Sequence, residues 1–193
     1  MSILVLTSDT LIGTPAAGNI EYNGQFFGTD SNASRAQLQR ITSGTAVAST
    51  SGTSIDFTSI PSWIKRITVM FNAVSTNGSS NLMVQVGSSS ISTSGYVSSG
   101  WTTNTNNVNS TAGLLVTGTN SSTYAWSGIA QICLLSSNTW AFSSSTSYQA
   151  TSAMSIGAGL SPALGGALDR IRITTVNGTD TFDAGSVNIM YEG

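Results

Sequence analysis

Between residues 64 and 74, Ile67, Val69, Phe71 and Ala73 alternate with Arg66, Thr68, Met70 and Asn72. A period of two sends alternate side chains to opposite sides of an extended chain, so this segment reads as a strand with one apolar and one mostly polar face. Ile60-Pro61-Ser62 sets its start, because proline fixes φ and has no N–H to donate. Residues 168–193, LDRIRITTVNGTDTFDAGSVNIMYEG, follow the same pattern. Ile171 and Ile173 point one way and Arg170, Arg172 and Thr174 the other, while Asn177-Gly178 has the residue types of a tight hairpin. Residues 179–182 then run back, Asp183-Ala184-Gly185 turns again, and Val187, Ile189 and Tyr191 line the last strand. Three consecutive antiparallel strands are expected there.

Similar runs occur at 45–49, 54–58, 82–86, 114–117, 124–135, 139–143 and 149–156. So many short strands separated by turn residues predict an all-β fold, an antiparallel two-sheet β-sandwich of jelly-roll-like form. Residues 157–166, GAGLSPALGG, are too rich in Gly and Pro for a helix and read as a loop. Fragments such as TNGSSN, GTNSST and VNGTD have no fixed period, and the Asn-x-Ser/Thr triplets at Asn32, Asn77, Asn109, Asn120 and Asn177 follow from the same biased composition.

Residues 1–40 differ in character. Ile20-Glu21-Tyr22 and Gln25-Phe26-Phe27 flank Asn23-Gly24, a hairpin signal, and Asn32 can cap one or two helical turns over 34–40. The expected organisation is an attachment or linking segment at 1–40 followed by a sandwich domain at 41–193.

Composition narrows the function. Of the 193 residues only 7% are charged, the net charge is −2, and histidine is absent. Six Lys and Arg spread along the chain cannot neutralise a run of phosphates, which argues against nucleic-acid binding. The start, MSILVLTSDT, lacks the charged end and the length of a signal peptide, and no apolar run approaches the ~20 residues of a membrane span. The expectation is a protein made in the cytoplasm without an export address and without membrane insertion. Cys133, the sole cysteine, reads as a small apolar residue within 129–135.

Without histidine the usual Ser–His, Cys–His and histidine–metal designs are excluded. Asp180 with Asp183, or Asp169 with Glu192, remain as carboxylate pairs, but Asp183 is better read as opening a turn. Asp169 and Glu192 can pair with Arg170, Arg172 or Arg66. A calcium site at Asp180 and Asp183 matches no dedicated loop. No enzyme activity, cofactor or metal is expected. Recognition is better supplied: the longest loop-like region, 88–113, carries Tyr96, Trp101, Asn104 and Asn106 among Ser, Thr and Gly, types that stack on and hydrogen-bond to sugars. Trp126 reads as buried in the sandwich or a subunit interface, and Trp63 and Trp140 as core.

Residues 52–78, GTSIDFTSIPSWIKRITVMFNAVSTNG, together with 168–193, resemble a β-sandwich domain at the C-terminal end of many bacteriophage and prophage tail-fibre and other virion proteins. In outline the resemblance spans 45–193, and 14–29, TPAAGNIEYNGQFFGT, is similar to the linking hairpin before such domains. The resemblance implies a virion-associated homotrimer, with Met70 and Met190 among the apolar positions facing neighbouring copies. It further implies contacts with other virion proteins through the N-terminal segment, and host attachment, with a cell-surface glycan as the candidate receptor. A head fibre or capsid decoration protein is the alternative, and a glycan-degrading tail enzyme the third reading.

Overall fold

The computed structural model describes residues 10, 11, 13–23, 25–105, 107–148 and 153–193, and every regular element among them is a β-strand. The chain forms two compact units, Met1–Arg40 and Ile41–Gly193. In the first, β1 (Ile20–Tyr22), β2 (Phe26–Thr29) and β3 (Arg35–Gln37) make an antiparallel sheet in that order. Tyr22 faces Phe26 across the hairpin, and Gly24 of its turn signal lies outside the described residues. The helical turns expected over 34–40 are absent, because Arg35–Gln37 pair with β2 instead. Asn32 is therefore no helix cap. Asp30 Oδ1 accepts the N–H groups of Asn32 and Ser34 at 2.9 Å each, and Arg35 binds Glu21 through Nε and Nη2.

The second unit is an antiparallel sandwich. Its strands are β4 (Ile41–Ser43), β5 (Val47–Ala48), β6 (Ser54–Phe57), β7 (Arg66–Thr76), β8 (Leu82–Ser88), β9 (Ser90–Ile91) and β10 (Val97–Thr102), then β11 (Val108–Ser110), β12 (Leu114–Leu115), β13 (Trp126–Ser136), β14 (Thr139–Tyr148), β15 (Ala153–Leu160), β16 (Arg170–Thr175) and β17 (Phe182–Glu192). The large sheet runs β11-β10-β15-β14-β13-β7-β17-β4, with β5 also on β17. The small sheet runs β12-β8-β16-β6, with β9 on β8. Ile67, Val69, Phe71, Val187 and Ile189 from the large sheet and Val84, Val86, Ile171 and Ile173 from the small one share a single buried core. Each such side chain contributes about 1.5–3 kcal/mol when fully buried.

The closing segment departs from the three-strand expectation. β16 sits between β8 and β6 in the small sheet, and β17 between β7 and β4 in the large one, so the two strands face each other across the core. The Asn177-Gly178 turn is real: Gly178 has φ +67° and donates its N–H to the Thr175 carbonyl, while Asn177 Oδ1 accepts the N–H groups of Thr179 and Asp180. It carries the chain between sheets rather than back along one. Residues 179–181 form no strand, and Asp183-Ala184-Gly185 is a bulge inside β17, not a turn. There Gly185 (φ +92°) lies against Ala73 (φ 51°), whose N–H bonds Ser127 Oγ at 2.9 Å. Register also shifts between Trp126 and Gly128 next door, so the three central strands bend together.

Residues 88–113 are not one long loop; they contain β9, β10 and β11. Nor is 157–166 all loop, since β15 extends to Leu160; the first part of the 149–156 expectation lies outside the described residues. These strands turn small and hydroxyl residues inward. Thr102 Oγ1 donates to Ser155 Oγ at 2.9 Å and accepts the N–H groups of Gly118 and Thr119, and Ser98 Oγ accepts the Leu115 N–H at 2.8 Å. The chain of the opposing layer approaches so closely that a Cβ on Gly157 would fall on the Leu115 carbonyl. Part of the serine and threonine is thus interior structure. Asn120, one of the compositional triplets, is buried and fully used: its amide nitrogen bonds Thr76 Oγ1 and the Ser80 carbonyl, and its oxygen accepts Trp126 Nε1–H at 2.9 Å.

Candidate functional site

With the inward faces committed to the core, chemistry is left to the outward ones. On the large sheet the pairing sets three cross-strand rows facing away from the core: Trp101–Ile156–Ser145–Ile129–Met70–Asn188, Ser99–Ala158–Ser143–Gln131–Thr68–Met190 and Val97–Leu160–Ala141–Cys133–Arg66–Glu192. Charge enters only at the end of the third row, where Arg66 binds Glu192 through Nε at 2.9 Å and Nη2 at 2.6 Å. Elsewhere these rows are apolar, hydroxyl or amide. Val97 is 73% exposed, and Trp101, Ile129, Met154 and Ile156 are also open to solvent. Met70 and Met190 do face outward but are only half-exposed; the open apolar area lies toward β10, β15 and β13.

The small sheet is different. Its outward positions Asp56, Arg170 and Arg172 carry charge, and each guanidinium is clasped by a carboxylate. Arg172 Nε and Nη2 donate to the two oxygens of Asp56 at 2.7 Å each, and Arg170 donates to Asp169 at 2.7 and 3.2 Å. The hydrogen bond from Arg170, reinforced by the Ser89 N–H, holds the Asp169 carboxyl below its ordinary value. Two cavities, of about 350 and 300 Å³, hollow this face and share Thr93 and Arg172.

Their rim is the segment 88–95, held by three anchors. Ser89 bonds Asp169, and Gly87 allows β8 and β9 to approach, since a Cβ there would overlap the Ser90 carbonyl. The third anchor is Tyr96, whose hydroxyl accepts the Val86 N–H at 2.8 Å and donates to the Ser92 carbonyl at 2.9 Å, a tyrosine bonded back to its own upstream chain. Burial pushes this phenol up to about 12.

The chain matches no protein-family model, no curated protein and no solved structure.

The expected recognition set is scattered by this geometry. Tyr96 is 1% exposed, so its ring offers no face to a sugar; it positions the groove rim from inside. Trp101 lies on the outward face of the large sheet, in register with Ile156. Asn104, exposed with φ 65°, is in the turn after β10, and Asn106 lies outside the described residues. Trp126 and Trp140 are buried, and Trp63 packs partly buried against Tyr191. Trp126 meets Tyr148 edge-on at 4.8 Å, and Tyr148 stacks on Tyr124 at 3.9 Å.

Asp183 is exposed in the bulge of β17. Asp180 is bound by Asn177 Nδ2 and the Ser80 N–H, and among the described residues no three carboxylate or thiol side chains gather as a metal site would require. Cys133 is half-buried between Ala141 and Arg66 in the third row. Sequence reasoning missed the Asp56–Arg172 clasp. Its signal was the alternation of Asp56 with Ile55 and Phe57, and of Arg170 and Arg172 with Ile171 and Ile173, which places charges on the outer face of two strands.

Proposed function

We propose that this chain is a bacteriophage virion structural protein, a tail-fibre or fibre-tip component that assembles as a homotrimer and attaches the particle to its host. The resemblance of 52–78 and 168–193 to virion β-sandwich domains supports this reading. The observation that carries it is the outward face of the large sheet: exposed Val97, Trp101, Ile129 and Ile156 interleave with hydroxyl residues, and the sole ion pair of the three rows lies at one end. Exposed large apolar side chains gathered on one sheet face mark protein contacts, and packing against copies of itself would cover them. The small unit ahead of the sandwich is then the joint to other virion proteins. In this reading the protein is synthesised in the host cytoplasm and leaves the cell as part of the particle.

A head fibre or capsid decoration protein with a structural role is the second reading, and the same apolar face favours it, because lattice contacts need no soluble ligand. A glycan-degrading enzyme has less support: among the described residues Asp56 is the only carboxylate lining either cavity, and it is engaged by Arg172. Labelled antibody on intact particles separates the first two readings. Label at the tail or fibre tip is the expected result, and uniform capsid label transfers the assignment to decoration.

A further inference from the structure

Resting on the attachment reading, we infer that the groove on the outward face of the small sheet is a binding site for a neutral oligosaccharide. Arg172 gives Nε and Nη2 to Asp56, which leaves its Nη1 amino group as a donor beside the groove it lines. The hydroxyls of Thr58, Ser90 and Thr93, which line the same cavity, make no hydrogen bond within the described residues. A lining of paired guanidinium and carboxylate with unspent hydroxyls supplies both donors and acceptors at fixed positions, as sugar hydroxyls require.

Charge balance decides the ligand class. Arg170 and Arg172 are each matched by a carboxylate, so an anion would gain a guanidinium only by competing with Asp169 or Asp56. A neutral polyol adds hydrogen bonds without displacing either pair. The two cavities, of about 350 and 300 Å³, share Arg172 and Thr93 in their walls, and each lies at the lower end of the size range of ligand sites. The rim is set before binding by the Tyr96 and Asp169 anchors, so little ordering is lost when a ligand arrives.

The test is a titration of the isotope-labelled protein, followed by amide chemical shifts. The probes are neutral bacterial-surface oligosaccharides, with inorganic sulfate as the anion control. Saturable shifts at Ser90, Thr93 and Arg172 with the sugars, and none with sulfate, are expected. Arg172→Ala should weaken binding about tenfold, the scale of a hydrogen bond to a charged group. Because Arg172→Ala leaves Asp56 without its partner, Thr93→Tyr is the second variant: it fills space beside Arg172 while both ion pairs keep both of their members, and it should also abolish the shifts. Sugar shifts confined to Trp101 and Asn104, response to sulfate alone, or no response at all would each overturn the groove assignment. Tip labelling by antibody, together with any one of those outcomes, leaves the attachment reading standing while the groove falls.

Discussion

The two outward faces of the sandwich have the same relation to the core and opposite chemistry. The large-sheet face is built of rows in which Trp101, Ile156 and Ile129 stand among Ser99, Ser143 and Ser145, while the small-sheet face is clamped by Arg172–Asp56 and Arg170–Asp169 and walled by the segment 88–95. A sandwich needs only its inward positions to fold, so each outward face is free to carry a separate task. An uncharged, partly apolar sheet suits packing against like surfaces; a hollowed face with fixed donors and acceptors suits a small polar ligand.

The contrast is sharpest between two tryptophans. Trp126, fully buried and bonded to Asn120, belongs to the core, and Trp126→Ala should cost about 3–5 kcal/mol and lower the melting temperature markedly. Trp101→Ala, on the outward face, should leave the stability of the isolated subunit within ~1 kcal/mol of wild type, an ordinary surface change, while weakening self-association. Equal losses in thermal melts of the two variants would erase the distinction between core and face.

A second pair separates the bulge from the turn. A Cβ at Gly185 would overlap the Ala73 backbone, whereas nothing lies within 4 Å of one at Gly178, although both have positive φ. Gly178→Val should cost on the order of 1–3 kcal/mol from backbone strain alone. Gly185→Val adds a steric clash and should cost more, and the order of the two midpoints in denaturant titrations checks it.

The groove rim supplies a smaller effect. The phenol of Tyr96 is raised from 10.0 to about 12, chiefly by burial, so the stability linked to its neutral form is present below pH 10 and is lost as pH climbs toward 12. Ultraviolet titration should show a late-ionising tyrosine that is absent in Tyr96→Phe. Smaller still is Asp169, held below its ordinary 3.8 first by Arg170: its contribution is present above that value and lost as pH falls through the folded value. Asp169→Asn should flatten the acid limb of the stability profile slightly.

Strand β7 was legible over residues 67–71 because the inward Ile67, Val69 and Phe71 are apolar; Ala73, expected on the same face, is exposed at the bulge, and beyond it Val74 and the polar Thr76 turn inward. Strands β10 and β11 were not, because the inward residues Ser98, Gly100 and Thr102 look like loop composition when written in a line. Their role depends on close approach to residues 114–119, which no local period encodes. The turn at Asn177-Gly178 could be read from chemistry, but not its destination, since the same positive-φ glycine serves a hairpin or a crossing between sheets. Tyr96 shows the same limit: an aromatic among serines and glycines suits a ligand site, yet its hydroxyl finds Val86 and Ser92 within the fold. The pairing of Asp169 and Glu192 with nearby arginines was legible because charges on adjacent strand positions have few other partners.

The central claim is that the large-sheet face is buried between copies of the chain. Light scattering of the purified protein at micromolar concentration, run beside Ile156→Lys, tests it most directly. A mass three times the 19.8 kDa chain for wild type, falling to the monomer in the variant while the fold is retained, is the predicted result. A monomeric wild type, or a trimer untouched by a lysine at Ile156, would contradict it.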